Sequence, residues 1–248
     1  MSTNMIGSVA VKSGAAILVS EDIVEGIYLE GLADVVVRAP AGRRPLVGQP
    51  GQKAIVLKNC QRVTIDGLHS RSGCSIGVHV FGGSHSCKVA NLSLDRTADS
   101  GLIDEGNGGL TVDNVIALGC GYGPLTWGKH GMYLKGADAK VTRSQAIGCK
   151  DSGFSSRREG IMLADCVAHS NGDVGFSFFD QAHASGTVSW TRCSAFRNAH
   201  GGMFIDQKLT AYAQAFLLVD VAMAEGGLNN KRKAESYYEH VTVDGKPL

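Results

Sequence analysis

Short alternating apolar segments, each opened by a small residue, recur along the chain. They are GIYLEG at 26–31, AIVLKN at 54–59, GVHVFG at 77–82, GLIDEG at 101–106, GMYLKG at 131–136, GFSSRR at 153–158, GFSFFD at 175–180 and GGMFID at 201–206. Successive openings are 28, 23, 24, 30, 22, 22 and 26 residues apart. Between them stand further alternating segments such as RVTIDGL, KVANLSL, LTVDNVIAL, GIMLADCVA and TVSWTRCSAF. Period-two alternation predicts strands, and no helical period intervenes. A unit this short buries its apolar face only by stacking on copies of itself, so the pattern predicts a solenoid of parallel β-coils.

In such a stack, residues at equal offsets from the opening residue become neighbours about 4.8 Å apart. Offsets 1 and 3 point one way and offsets 2 and 4 the other. The first set reads Ile27/Leu29, Ile55/Leu57, Val78/Val80, Leu102/Asp104, Met132/Leu134, Phe154/Ser156, Phe176/Phe178 and Gly202/Phe204, and is the expected core column. Asp104 is its one ionisable member and needs partners there. The second set places Glu105, Lys135 and Arg157 in one outward file, with Tyr133, Ser155 and His79 beside it and Met203/Ile205 at its end. Offset 5 adds Arg158, Asp180 and Asp206, which puts the two aspartates on adjacent coils.

Composition narrows the class. Thirty-three glycines and only 6% aromatic residues in 248 suit many tight turns around a narrow aliphatic core. A formal net charge of +1 gives no concentrated basic surface for nucleic acid. No apolar run approaches the roughly 20 residues of a membrane span. The first residues lack a charged region, apolar region and cleavage site, which leaves the compartment open. Seven cysteines are scattered singly, without metal-ligand spacing, and read as small core residues that stack, a disulfide framework being the lesser alternative. Asn171 and Asn198 read as turn residues in the left-handed region.

These intervals resemble the right-handed parallel β-helix of the pectin-lyase-like superfamily, over roughly residues 24–227. Residues 1–23 are then expected as an N-terminal cap or partial coil, and 228–248 as a C-terminal cap or tail. The expected fold is all-β, a single right-handed parallel β-helix of about 7 to 9 coils. In that superfamily such an outer face binds polysaccharide, and many members cleave or epimerise uronate polymers.

The resemblance implies β-elimination on an acidic, uronate-containing polysaccharide. Arg157 would hold the carboxylate, Lys135 would serve as base, and Tyr133 or His130 would protonate the leaving oxygen. His79, Glu105, Trp127, Arg158, Asp180 and Asp206 are the expected substrate contacts, with the long segment GCGYGPLTWGKH at 119–130 as a groove wall. No cofactor is expected, though Glu105 with Asp104 could contribute to a calcium site. The DPHD-like epimerase signature and the NTD and paired-Asp signatures of polygalacturonase-type hydrolases are absent. Two other classes stay open: a non-catalytic carbohydrate-binding, virion or surface module, and a β-helix isomerase or cyclase acting on a small molecule. A side-by-side homo-oligomer through Phe81, Phe179, Met203 and Ile205 is a further expectation.

Overall fold

The structure, a computed structural model, describes residues 3–124, 129–179 and 186–206, together with short strands between 214 and 247. Parallel strands stack into three sheets of 11, 10 and 10 strands, and the chain visits them in rotation. The result is a right-handed β-solenoid without a helix among the described residues. At the start, Met5–Ile6 and Val9–Ala10 form an antiparallel hairpin that pairs with Ile27–Glu30. Parallel pairing continues at the other end through Leu228–Asn230, Ser236–Glu239 and Thr242–Val243.

The first sheet carries the repeated segments. Ile27, Ile55, Val78, Leu102, Met132, Phe154, Phe176 and Met203 share one register position and face inward. The Phe154 and Phe176 rings stack at 5.1 Å between centroids. Opposite these large side chains the third sheet narrows to a register column of Ala117, Ala146, Ala168 and Ala195. That column explains the opening glycines at 101, 131, 153 and 175. A Cβ on Gly131 would lie 2.7 Å from the Ala146 methyl, and one on Gly175 would lie 2.8 Å from that of Ala195. Close approach, rather than an unusual φ, excludes a side chain there.

Corners between sheets are made by single residues with positive φ, among them Asp34, Arg62, Asn91, Asn114, Arg143, Asp165 and Arg192. Asn171 and Asn198 sit at corners as expected, but the left-handed residues are their predecessors Ser170 and Arg197. The asparagines point inward and are almost wholly buried. Asn198 Oδ1 accepts from Asn171 Nδ2 at 2.9 Å, and Asn171 Oδ1 accepts from the Cys149 amide at 3.0 Å. The seven cysteines are free and buried, as the stacking expectation requires.

One register differs from the sequence expectation. Met203 pairs with Phe176 and Phe204 with Ser177, so the last segment counts from Gly202 and not Gly201. Met203 is therefore core, 1% exposed, which removes it from the expected outer contact patch, and Ile205 shares the register of Phe178. Asp206 aligns with Phe179, not with Asp180. No helix among the described residues is long and apolar enough to cross a membrane.

Candidate functional site

The outer side of the first sheet carries two neighbouring files. His79, Ile103, Tyr133, Ser155 and Ser177 form one. Phe81, Glu105, Lys135 and Arg157 form the other: Phe81 and Glu105 are paired in register, and the amides of Lys135 and Arg157 donate to Asp104 and Leu134 carbonyls one coil back. The predicted Glu105, Lys135, Arg157 file is thus present, and the geometry separates its members.

Lys135 Nζ donates to Glu105 Oε1 at 2.5 Å, while Glu105 Oε2 lies 3.1 Å from His79 Nε2. On the far side of the imidazole, Lys53 Nζ lies 2.8 Å from Nδ1. An ammonium can only donate, so Nδ1 accepts and Nε2 carries the hydrogen directed at Glu105. Burial pushes His79 below its ordinary value despite the Glu105 carboxylate, consistent with this neutral tautomer. Burial opposes ionisation of Glu105, yet the bonds from Lys135 and His79 hold its carboxyl below the usual range. To act as a base, Lys135 would have to give up the contact with Glu105.

Arg157 is placed differently. Its guanidinium carbon lies 4.4 Å from the Phe179 centroid and 5.2 Å from that of Tyr133. It is half-buried, its Nε is buried without a hydrogen-bond partner, and it has no ion pair among the described residues. Burial lowers its affinity for the proton, and Tyr133 and the more distant Asp151 carboxylate partly restore it. Tyr133, 9% exposed, lies under both cations, with Lys135 Nζ 5.4 Å from its ring. The His130 ring is tilted against it at 4.8 Å. His130 is 5% exposed and burial pushes it down to about 4, against the pull of Asp151, whose Oδ2 is 3.6 Å from Nδ1. At neutral pH the imidazole is uncharged.

Beside Tyr133 is a recess of about 220 Å³ bordered by Lys53, Ser75, Ile76, His79, Asp99, Ile103 and Glu105. Lys53 and Asp99 were not singled out from sequence. Both lie in turns just ahead of an opening residue, as His130 does.

Of the other expected contacts, Arg158 is exposed one residue beyond Arg157 and has no ion pair among the described residues. Trp127 and Asp180 lie outside the described residues, as does the side chain of Asp206. Tyr122 leaves the groove wall: it is 65% exposed at a separate recess with Arg96, Thr97 and Ala98. Asp104 and Glu105 cannot join on one cation, because they point to opposite sides of their strand. Asp104 is 1% exposed inside the coil, where burial raises it to about 6 while the Gly106 amide donates to Oδ1 at 3.1 Å. Among the described residues no group of three His, Cys, Asp or Glu side chains is placed to hold a metal ion.

Residues 53–213 match the family model described as right handed beta helix region. Comparison with curated proteins gives no match. Among solved structures, the chain is similar to an alginate lyase from Paenibacillus sp., with a TM-score of 0.64 and 12% identity over 93% of each chain. It is also similar to a surface protein and adhesin of Streptococcus pneumoniae, with a TM-score of 0.54 and 7% identity over 88% of this chain and 65% of that one. A tailspike capsular polysaccharide depolymerase of an Acinetobacter baumannii bacteriophage gives a TM-score of 0.50 and 10% identity, over 92% and 51%. At these identities the likeness is one of fold.

Proposed function

The chain belongs to the right handed beta helix region family, and from that premise we propose that it is a carbohydrate-active protein that cleaves an acidic, uronate-containing polysaccharide by β-elimination on the outer face of its first sheet. The observation that carries this reading is Arg157, a half-buried guanidinium between two aromatic rings with no carboxylate paired to it among the described residues. A uronate carboxylate would satisfy it through two parallel charge-assisted hydrogen bonds.

β-Elimination requires that the carboxylate be neutralised, that a base take the proton from the adjacent carbon, and that an acid protonate the departing oxygen. The electrons of the broken C–H bond become the new carbon–carbon double bond, and those of the C–O bond leave with the oxygen. Arg157 meets the first need. His130, uncharged at neutral pH, and Tyr133 stand together for the two proton transfers. Lys135, held by Glu105, serves with His79 as a polar rail for sugar hydroxyls. The names of two similar folds, an alginate lyase and a capsular polysaccharide depolymerase, agree with a polysaccharide substrate.

Incubation with alginate, pectate and glycosaminoglycans, following the absorbance of the unsaturated product beside a binding measurement, tests the reading. Product from at least one polymer is expected. Every polymer left intact and unbound would overturn it. The closed Lys53, His79, Glu105, Lys135 network favours one alternative, a module that binds the polymer without cleaving it. Saturable binding with no product would select that alternative.

A further inference from the structure

We infer that the recess beside Tyr133 is a subsite for an O-acyl group, so that the polymer recognised is an acidic polysaccharide esterified on ring hydroxyls. This deepens, and rests on, the reading of the outer face as a uronate site.

Ile76, Ile103 and Tyr133 form an apolar cluster separate from the interior core, although Ile103 and Tyr133 lie in an outward file of the sheet. They are only 7%, 3% and 9% exposed, so the patch is recessed rather than flat. The cavity it floors, about 220 Å³, is below the size of ordinary small-molecule pockets. The C–H face of a sugar ring lies on a flat aromatic surface. A small apolar recess instead accepts a group that projects from the ring.

Charge decides which group. Asp99 and Glu105 stand in the wall, Glu105 already paired with Lys135 and Lys53 already bonded to His79, so no cation is left free there for a substrate carboxylate, which belongs with Arg157. An ester is neutral, its methyl suits the isoleucines, and its carbonyl oxygen can accept from Lys53 or Ser75. Tyr133 borders both places, lying 5.2 Å from the Arg157 guanidinium carbon while lining the recess. On a hexuronate ring, the carbon bearing the carboxylate and the hydroxyls at positions 2 and 3 lie on opposite sides. A ring placed over Tyr133 with its carboxylate toward Arg157 therefore directs an acyl group on those hydroxyls into the recess.

The test compares an O-acetylated uronate polymer with the same polymer after mild alkaline de-esterification, by affinity electrophoresis or calorimetry on the full chain. The acetylated form is expected to bind about 10-fold tighter, the scale of one small apolar group in a fitted pocket. Ile76→Trp, which fills the recess, is expected to bring that ratio close to one. Ser75→Phe serves the same purpose if the first variant fails to fold by circular dichroism. Equal or tighter binding of the de-esterified polymer overturns the acyl subsite and leaves the uronate reading standing. Binding of neither polymer overturns both.

Discussion

Two sets of arginines on this solenoid differ in what they face. At the corners, Arg62, Arg143 and Arg192 each make a two-pronged ion pair with an aspartate one coil earlier, Asp34, Asp113 and Asp165. All three arginines are at least half exposed there. On the first sheet Arg157 repeats the coil spacing without the partner: Lys135 lies one coil before it and Phe179 one coil after. The corner pairs are closed in water and add little to stability. Arg157 is half-buried and has no carboxylate paired to it among the described residues, an arrangement whose cost a bound anion would relieve. In a repeating structure the position that departs from its own repeat is the first place to test for binding.

The strongest way to break this contrast is Arg157→Ala. It is expected to lower the rate or affinity toward an acidic polymer by about 100- to 1,000-fold, the scale of losing one aligned donor in a dry site. Arg157→Lys should recover only part of that, since a lysine keeps the charge and loses the fork. An unchanged affinity in both variants would remove the contrast.

A second prediction concerns charge kept inside the coil. Asp104, raised from 3.8 to about 6, binds its proton more tightly when folded, so it adds stability as pH falls through 6, fully below about 3.8. His130, lowered from 6.5 to about 4, acts oppositely: stability is intact above 6.5 and lost as pH falls toward 4. Each shift corresponds to about 3 kcal/mol, and over their shared window they offset one another. Asp104→Asn should therefore steepen the stability loss between pH 7 and 4 by about 3 kcal/mol relative to the parent chain, read from denaturant midpoints. A variant profile parallel to the parent's would refute the offset.

The smallest effect is expected at the corners. Arg143→Ala should move the thermal midpoint by no more than about 1 °C and leave polymer binding unchanged. A large loss of binding there would move the site to another face.

Most of the fold was legible because a coil repeats: the glycine spacing reports contacts that a single strand would leave hidden. The inward column and the Glu105, Lys135, Arg157 file both follow from two-residue alternation counted from those glycines. The count slipped only at Gly201 and Gly202, where two side-chain-free residues in a row leave no alternation to mark the phase. Pairings made through turns were not legible either. Lys53 reaches His79 across 26 residues of sequence, and neither alternation nor coil phase says where a turn residue will point. Likewise the buried asparagine ladder looked from sequence like ordinary corner residues, because Asn serves both purposes.

The buried thiols have a consequence for motion. Each stacked coil is held by its neighbours, so opening is expected to advance coil by coil. Buried cysteines run from Cys60 to Cys193, and burial holds Cys87 up at about 11, protonated and slow to react until its own coil opens. The rate at which each thiol becomes alkylated is therefore a local clock, and the seven together time how the solenoid unzips and from which end.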